Sequence, residues 1–195
     1  MLNTYDQEWI EFMRIYLRAF ELNDYTLIHR WRSNQDITRH LSGNNYFVSS
    51  EREKKWVEDK IFNDRESMYL AICLKLNDAM IGYTSINNID YRNRKVEWGG
   101  TLIGEIEYHG QGYATEAAII MLNYVFEELC MNKCYAYCLE EHEVTRRLFR
   151  RLHFTQDGIL RENIFKNNVY RNMLLFSILR NEYEPIRNKL SLMFP

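Results

Sequence analysis

The chain has 195 residues, of which 46% are hydrophobic and 27% charged, and its formal net charge is −2 at pH 7. This length suits one domain with a sizeable core and is short for two. We therefore expect a single domain over residues 1–195, with 1–14 as an N-terminal extension and 185–195 as a tail. The near-neutral charge excludes a global electrostatic attraction to nucleic acid or an anionic membrane. No apolar run approaches the length of a membrane span, and the start is not a secretory leader, so a cytoplasmic location is expected.

The predicted elements follow one another without an obvious linker, because the chain has only two prolines and no repeat. The first part predicts an amphipathic segment, a strand and three helices: residues 5–14, the strand 15–20, a helix capped by Asn23 or Asp24, a helix near Asp36, and a helix opened by the capping box Ser50-x-x-Glu53. Periodicity then predicts the remaining elements: strands 68–76 and 80–86 around a turn at Asn77-Asp78, a strand around Val96, a helix from Gly112 to about Cys130, a strand 133–139, a helix 142–152, and a strand 170–179 after a turn at Asn167-Asn168. The order predicts an α/β (α+β) fold, with a mixed sheet and helices on both of its faces.

The segment from Tyr108 to Ala117 places Gly110 and Gly112 where a strand turns into the longest predicted helix. Glycines there let backbone amides approach an anion at the helix N-terminus, where the helix dipole also favours negative charge. An ordinary turn is the alternative, since many loops use paired glycines. The spacing lacks the Gly-Lys-Ser/Thr ending of a Walker loop and the third glycine of a dinucleotide turn. It therefore indicates neither a nucleotide hydrolase nor a nicotinamide-dependent enzyme.

The same segment resembles the acetyl-CoA pyrophosphate loop of the GNAT superfamily of N-acetyltransferases, whose usual form is Gln/Arg-x-x-Gly-x-Gly/Ala. Here it reads His109-x-x-Gly112-x-Ala114, so His109 departs from the first position. The element order over roughly residues 15–183 is also that of the family. Three further phrases resemble the branch that contains ribosomal-protein, spermidine and nucleotide-sugar-amine N-acetyltransferases: Leu17-Arg18-Ala19-Phe20-Glu21-Leu22-Asn23-Asp24, Trp31-Arg32-Ser33 with Asp36-Ile37, and Tyr170-Arg171-Asn172.

The resemblance implies a GNAT-like, mostly antiparallel sheet and acetyl-CoA as cosubstrate, whose acetyl group a primary amine takes by direct attack on the thioester. Loop amides would hold the diphosphate, and Thr115 is either an extra donor or an ordinary first-turn residue. An amide near the end of the preceding strand would polarise the thioester carbonyl. Gly99-Gly100 there predicts either a β-bulge or close packing under Trp56 or Trp98. The predicted cofactor contacts are Leu102, Ile103, His109, Gly110, Gln111, Gly112, Tyr113, Ala114, Thr115, His142 and Phe149.

Catalysis also needs a base, because an alkyl ammonium of pKa ~10.4 is mostly protonated at neutral pH. Glu97 is the predicted base, since it lies on the strand that leads to the loop and the family often has a glutamate there. Exposure to solvent or pairing with a nearby arginine or lysine is the alternative for Glu97. Glu140 and Glu141 are the second choice.

The predicted acid differs from that of the family. The family's second signature, Asn-x-x-Ala/Ser-x-x-x-Tyr-x-x-x-Gly-Phe, keeps only its last residue here and falls on His142, Thr145, Phe149, His153 and Phe154. Because Phe149 has no hydroxyl, Tyr137 is the predicted donor to the thiolate, with His142 and water as alternatives. Slower turnover is expected. A CoA-binding regulatory domain without catalysis, or a plain partner-binding domain, is the alternative function.

The acceptor is expected between the N-terminal helices, the strand at Glu97 and the last hairpin. It is a small-molecule amine, such as an amino sugar or a polyamine, or a peptide or protein N-terminus. We expect no nucleic acid or membrane partner, and a homodimer stays open. The residues that could contact the acceptor are Trp31, Arg32, Tyr83 and Tyr170, with Tyr46, Phe47 and Asn87, and core packing is the alternative for each aromatic ring.

The four cysteines are predicted to be buried thiols. None of their spacings is Cys-x-x-Cys, and the chain is rich enough in core residues to need no disulfide. A metal site is not expected, because no histidine stands at ligand spacing from them. The four are Cys73, Cys130, Cys134 and Cys138.

Overall fold

The computed structural model describes residues 13–38, 41 and 47–191. The amphipathic segment predicted over residues 5–14 lies almost wholly outside them, and so does Tyr46. The described residues form a seven-stranded sheet in the order β1-β2-β3-β4-β5-β7-β6. All neighbouring strands are antiparallel except β4 and β5, which run parallel. The predicted mixed, mostly antiparallel sheet is therefore confirmed.

The sheet strands are β1 (Ile15–Ala19), β2 (Met68–Leu74), β3 (Met80–Asp90), β4 (Lys95–Ile103), β5 (Lys133–Leu139), β6 (Thr155–Lys166) and β7 (Val169–Leu179). The described helices are α1 (Tyr25–Arg32), α2 (Gln35–Thr38), α3 (Ser50–Phe62), α4 (Tyr113–Asn123), α5 (Glu143–Arg151), α6 (Arg180–Tyr183) and α7 (Arg187–Ser191). Short 3-10 turns at Leu22–Asp24 and Ile106–Tyr108 precede α1 and α4. None of the helices in these ranges is long and apolar enough to cross a membrane.

Side chains of each strand alternate between two apolar layers. On one face, Trp98 of β4 packs in a core with Ala118 of α4 and Phe149 of α5. On the other face, Ala71 of β2 packs in a second core with residues of α1, α2 and α3, including Val57. Helices therefore cover both faces, as predicted, and the sheet separates an α4–α5 side from an α1–α3 side.

The predicted capping box of α3 is wrong. The helix is capped by Ser49, whose hydroxyl accepts from the Arg52 amide at 3.3 Å. Glu53 does not reach back to the helix start, because its buried carboxylate accepts a hydrogen bond from Arg32 at 2.7 Å. A tertiary ion pair thus overrides a local capping pattern.

The long helix changes type before its end near residue 130, and the predicted burial of one cysteine is wrong. Helix α4 ends at Asn123 and continues as a wider π-helical turn over residues 124–128. Cys130 follows with φ of 52°, outside the helix, and its side chain is exposed. The other three cysteines are buried, as predicted.

Candidate active site

A cleft opens where β4 and β5 stop pairing. Their parallel register runs from Lys95 to Trp98 in β4 and ends at Ala136 in β5. Beyond that point a cavity of about 160 Å³ lies between the two strands and α5. It is lined in part by Gly99, Gly100, Leu102, Tyr137, His142 and Phe149.

The end of β4 carries the β-bulge that the paired glycines predict. Trp98 pairs with Ile86 and Thr101 with Thr84, so Gly99 and Gly100 stand opposite Ser85 alone. Gly100 has φ of 95°, and a side chain built on it would meet nothing within 4 Å. A side chain on Gly99 would collide with Ser85 and Asn87, whereas one on Gly100 would meet neither Trp56 nor Trp98, so packing under a tryptophan does not explain Gly100.

The segment between β4 and α4 is fastened to the end of the sheet. The Gly104 amide donates to the Ile81 carbonyl at 2.8 Å. His109, the departure from the family pattern, donates from Nε2 to the Ile103 carbonyl at 2.8 Å. The side-chain amide of Gln111 donates from Nε2 to the Glu107 carbonyl, whereas its backbone N–H has no acceptor among the described residues. His109 therefore ties the loop to β4 through its ring.

The backbone amides of residues 110–114 have no hydrogen-bond acceptor in the part of the chain that the structure describes. The next two amides, of Thr115 and Glu116, both donate to the Gly112 carbonyl, at 2.9 and 3.0 Å. Gly110 and Gly112 have φ of 73° and 89°, a region that favours glycine, and a side chain built on Gly110 would meet nothing within 4 Å. Five unsatisfied donors at the start of an 11-residue helix fit a bound diphosphate.

Glu97 lies on the sheet face opposite Trp98. It stands directly across from Asn87 of β3 and beside Tyr135 of β5, so these side chains share one face. Its Oε2 accepts from Asn88 Nδ2 at 2.7 Å, and Oε1 has no partner among the described residues. Glu97 is half-buried and lies next to the cleft rather than in its lining. The second-choice bases are exposed, and both have partners: Glu140 bonds with Asn172 and Glu141 pairs with Arg171.

The walls of the cleft carry three groups that the sequence predicts for catalysis or cofactor binding. Tyr137 lines it from β5, with its ring against the edge of Tyr135 at 5.9 Å. His142 lines it from the start of α5, with Nδ1 at 2.9 Å from the Thr145 hydroxyl. Phe149 is 2% exposed, because it packs in the aromatic core of the α4–α5 side. It fills space as an apolar wall and offers no proton.

Of the predicted acceptor residues that the structure describes, only Tyr83 lines the cleft. Burial raises the pKa of Tyr83 to about 12, so its hydroxyl is neutral at physiological pH. Trp31 is 1% exposed and donates from Nε1 to Glu105 at 3.0 Å, which is a core position. Arg32 stacks 4.8 Å from the Trp56 ring while it bonds with Glu53.

Three further predicted acceptor residues with described positions lie outside the cleft lining: Asn87 is half-buried across from Glu97, whereas Tyr170 and Phe47 are exposed. Tyr170 of β7 is 62% exposed and packs on Phe165 at 5.0 Å, in the last hairpin. Phe47 is fully exposed. The structure thus gathers Tyr83 with the predicted cofactor residues, packs Trp31 in the same core as Leu102, and leaves Phe47 and Tyr170 outside the cleft lining.

Several residues of the site were not predicted. Cys138, Leu139 and Leu148 also line the cleft. Leu148 could have been found from the helical spacing that places it one turn after Thr145. Burial raises the pKa of the Cys138 thiol to about 11, so this cysteine stays a neutral wall residue.

Comparison with known proteins identifies the family. A family model described as "Acetyltransferase (GNAT) domain" matches residues 14–155. The chain is 27% identical over 168 residues to the spermidine N(1)-acetyltransferase of Escherichia coli strain K12, covering 86% of this chain and 87% of that one. It is 27% identical over 171 residues to the N-acetyltransferase p20 of Bacillus licheniformis, covering 87% and 95%.

Solved structures show the same fold. The spermidine N-acetyltransferase from Vibrio cholerae in complex with CoA and spermine superposes with a TM-score of 0.79 at 24% identity, covering 88% of this chain and 98% of that one. The cleft, the loop amides that have no acceptor in the described part of the chain, and the family match agree with one another. The chain belongs to the GNAT family and is an acetyl-CoA-dependent N-acetyltransferase.

Proposed function

We propose that this protein acetylates the primary amine of a small cationic molecule, a polyamine or an amino sugar, by direct attack of the amine on the thioester. The observation that carries the proposal is the position of Glu97, a carboxylate beside the opening between β4 and β5 whose Oε1 has no partner among residues 13–38, 41 and 47–191. Relatives named as spermidine N-acetyltransferases favour a polyamine over an amino sugar. A protein N-terminus is the less favoured acceptor.

The cofactor would be held mainly by the backbone. The amides of residues 110–114 would bind the diphosphate, and Leu102, His142 and Phe149 would line the path of the pantetheine arm. When bound, acetyl-CoA supplies the acetyl group as an activated thioester. The bulge at Gly99-Gly100 places irregular backbone in the wall of the cleft, where an amide released from the sheet ladder can donate to the thioester carbonyl.

Glu97 would take the proton from the incoming ammonium, directly or through water. A neutral amine is the nucleophile, and an alkyl ammonium of pKa ~10.4 must lose a proton before it attacks. Asn88 holds Oε2 of Glu97, which leaves Oε1 for the proton. A positively charged acceptor is also attracted to this carboxylate, which is why we favour a cationic amine.

Tyr137 would protonate the departing thiolate. Phe149 is packed into the core and has no hydroxyl, so the donor must come from another wall of the cleft. Tyr137 lies on β5 on the face shared by Glu97. Because a thiol has a pKa of ~8.5, the thiolate can leave without a proton. Protonation by Tyr137 would therefore raise the rate of turnover without being essential for it.

The test is a panel of amines with acetyl-CoA. Release of the CoA thiol is followed with a chromogenic thiol reagent, and acetylation of the amine is followed by mass spectrometry. We expect turnover with spermidine or glucosamine and slower turnover with a peptide N-terminus. Turnover with the peptide alone would refute the acceptor class. Tight CoA binding with no turnover on any amine would instead support the second candidate, a regulatory CoA-binding domain, which the missing hydroxyl at Phe149 favours. We also propose that the chain acts as one domain in the cytoplasm, without a nucleic acid or membrane partner.

A further inference from the structure

We propose that Arg14, which precedes β1, is a positioning residue that holds the diphosphate loop in its binding conformation. Arg14 lies 97 positions from Gln111 and 102 from Glu116 in the sequence, yet it contacts both. This role rests on the proposed assignment of residues 110–114 to the diphosphate. It goes beyond that assignment, because the residue named lies outside the loop.

The contacts begin at a buried carboxylate. Glu116, in the first turn of α4, is fully buried. Its two oxygens accept from the Arg14 amide at 3.0 Å and from Arg14 Nε at 2.6 Å, and Nη2 of the same guanidinium adds an ion pair. A buried carboxylate without a partner is strongly unfavourable, so this pairing fixes where the guanidinium lies.

The guanidinium also orients one peptide of the loop. Its Nη2 donates to the Gln111 carbonyl at 2.8 Å. In a planar trans peptide, the carbonyl of one residue and the N–H of the next point in opposite directions. Because Arg14 draws the Gln111 carbonyl toward itself, the Gly112 amide is directed away from Arg14. That amide is one of the five without an acceptor in the described residues, so the contact determines which way a donor of the proposed anion site faces.

An aromatic contact completes the arrangement. The guanidinium carbon lies 4.1 Å from the centre of the Tyr113 ring, and Tyr113 meets Tyr108 edge to face at 5.4 Å. One rigid, fork-shaped group therefore touches the loop, the first residue of α4 and the buried carboxylate. Lysine cannot reproduce this geometry, since its ammonium is a single point charge.

The chain offers a matched control four residues further along, within β1. Arg18 of β1 makes a two-pronged ion pair with Asp24, at 2.8 and 2.9 Å, and Asp24 is 6% exposed. This pair resembles that of Arg14 and Glu116 in type and burial, but it joins β1 to the turn before α1. Loss of an arginine that pairs with a buried carboxylate can thus be compared near the loop, at Arg14, and away from it, at Arg18.

The experiment measures CoA binding by calorimetry for wild type, Arg14→Met, Arg14→Lys and Arg18→Met. Steady-state rates are measured with acetyl-CoA and with S-acetylpantetheine, a donor that has no phosphate. Arg14→Met should raise the Kd for CoA by about tenfold or more, the usual size of a lost charged hydrogen bond. It should raise the KM for acetyl-CoA similarly and leave kcat, and kcat/KM for S-acetylpantetheine, near wild type. The Kd of Arg14→Lys for CoA should lie between those of wild type and Arg14→Met, and the Kd of Arg18→Met should equal that of wild type.

Three results would overturn the role of Arg14. One is wild-type CoA affinity in Arg14→Met. Another is an equal loss with both donors, as general destabilisation would give. The third is an equal loss of CoA affinity in Arg18→Met. If Arg14→Met does not fold, Arg14→Lys and Glu116→Gln carry the same comparison. If wild type itself binds CoA no more tightly than pantetheine, the loop assignment fails, and with it the proposed site as a whole.

Discussion

The two sides of the sheet build their functional surfaces from different parts of the chain. On the α4–α5 side the site is made largely of backbone, namely the amides of residues 110–114 and the bulge at the end of β4. On the α1–α3 side two polar side chains are held by other side chains: Arg32 bonds with Glu53, and Trp31 bonds with Glu105. A backbone site depends on glycine and tolerates other substitutions. A side-chain surface changes whenever one partner changes, which suits the part of an enzyme that differs between acceptors.

The largest effect is expected from blocking the backbone site, which tests whether the loop amides bind the diphosphate. Gly112→Glu forces a side chain into a left-handed conformation, with φ of 89°, and adds a negative charge among the donors. We expect the Kd for CoA in calorimetry to rise by about 100-fold or more, since several charged hydrogen bonds are lost together. Gly112→Ala is the control that introduces the backbone strain without the charge, and its affinity for CoA should fall less than that of Gly112→Glu. Normal CoA affinity in Gly112→Glu would show that the loop does not hold the diphosphate.

The next prediction tests catalysis where the two sides meet. Glu97→Gln should lower kcat by about 100-fold, the scale of general-base catalysis, and leave the Kd for CoA unchanged. Raising the pH toward the pKa of the amine should recover part of the rate, because more of the amine is then neutral without the help of a base. Glu140→Gln, at the exposed second-choice base, should behave as wild type. If Glu97→Gln turns over normally, this residue is not the base.

A smaller effect is expected from the proposed acid. Tyr137→Phe should lower kcat by about tenfold, because the departing thiolate then has no nearby proton donor. The loss is modest because a thiolate is weakly basic and can leave unprotonated. Tyr135→Phe removes a hydroxyl from the neighbouring ring, which lies outside the cleft lining, and should have little effect. Equal rate losses in the two variants would remove Tyr137 from the mechanism.

On the α1–α3 side, Arg32→Met should lower stability and leave cofactor binding unchanged. It leaves the buried Glu53 without its partner at a cost of about 1–3 kcal/mol, toward the low end because the Arg32 side chain is 38% exposed. In a chain of this size each kcal/mol lowers Tm by about 2–4 °C, which calorimetric melting would detect. The Kd for CoA should not change. A Tm equal to that of wild type would mean that the ion pair contributes nothing to folding.

The smallest effect concerns the cysteines. Alkylation near neutral pH should modify the exposed Cys130 and leave activity intact, because this residue lies outside the cleft lining. Cys138 should resist, since burial raises its pKa to about 11 and reaction needs the thiolate. Peptide mass mapping after labelling of wild type and Cys130→Ser checks both points. Modification of Cys138 before Cys130 would contradict the burial.

The comparison also explains what the sequence could reveal. Strand periodicity, the bulge glycines and the glycines of the loop act over short stretches, so the element order, the bulge at Gly99-Gly100 and the acetyl-CoA dependence were predictable. Partners distant in sequence were not. Glu53 looks like a capping residue until Arg32 is known to lie beside it, and nothing near Arg14 in the sequence indicates Gln111. The catalytic roles of Glu97 and Tyr137 stay predictions.

The most direct measurement is a titration with CoA followed by proton–nitrogen correlation spectra, in which the amides of residues 110–114 are assigned. Hydrogen bonds to phosphate deshield amide protons. We expect these amides, led by those of Gly110 and Gly112, to move downfield with CoA and to stay in place with pantetheine. Unchanged positions for these amides at saturating CoA would contradict this expectation, because the cofactor would then be held by another part of the protein.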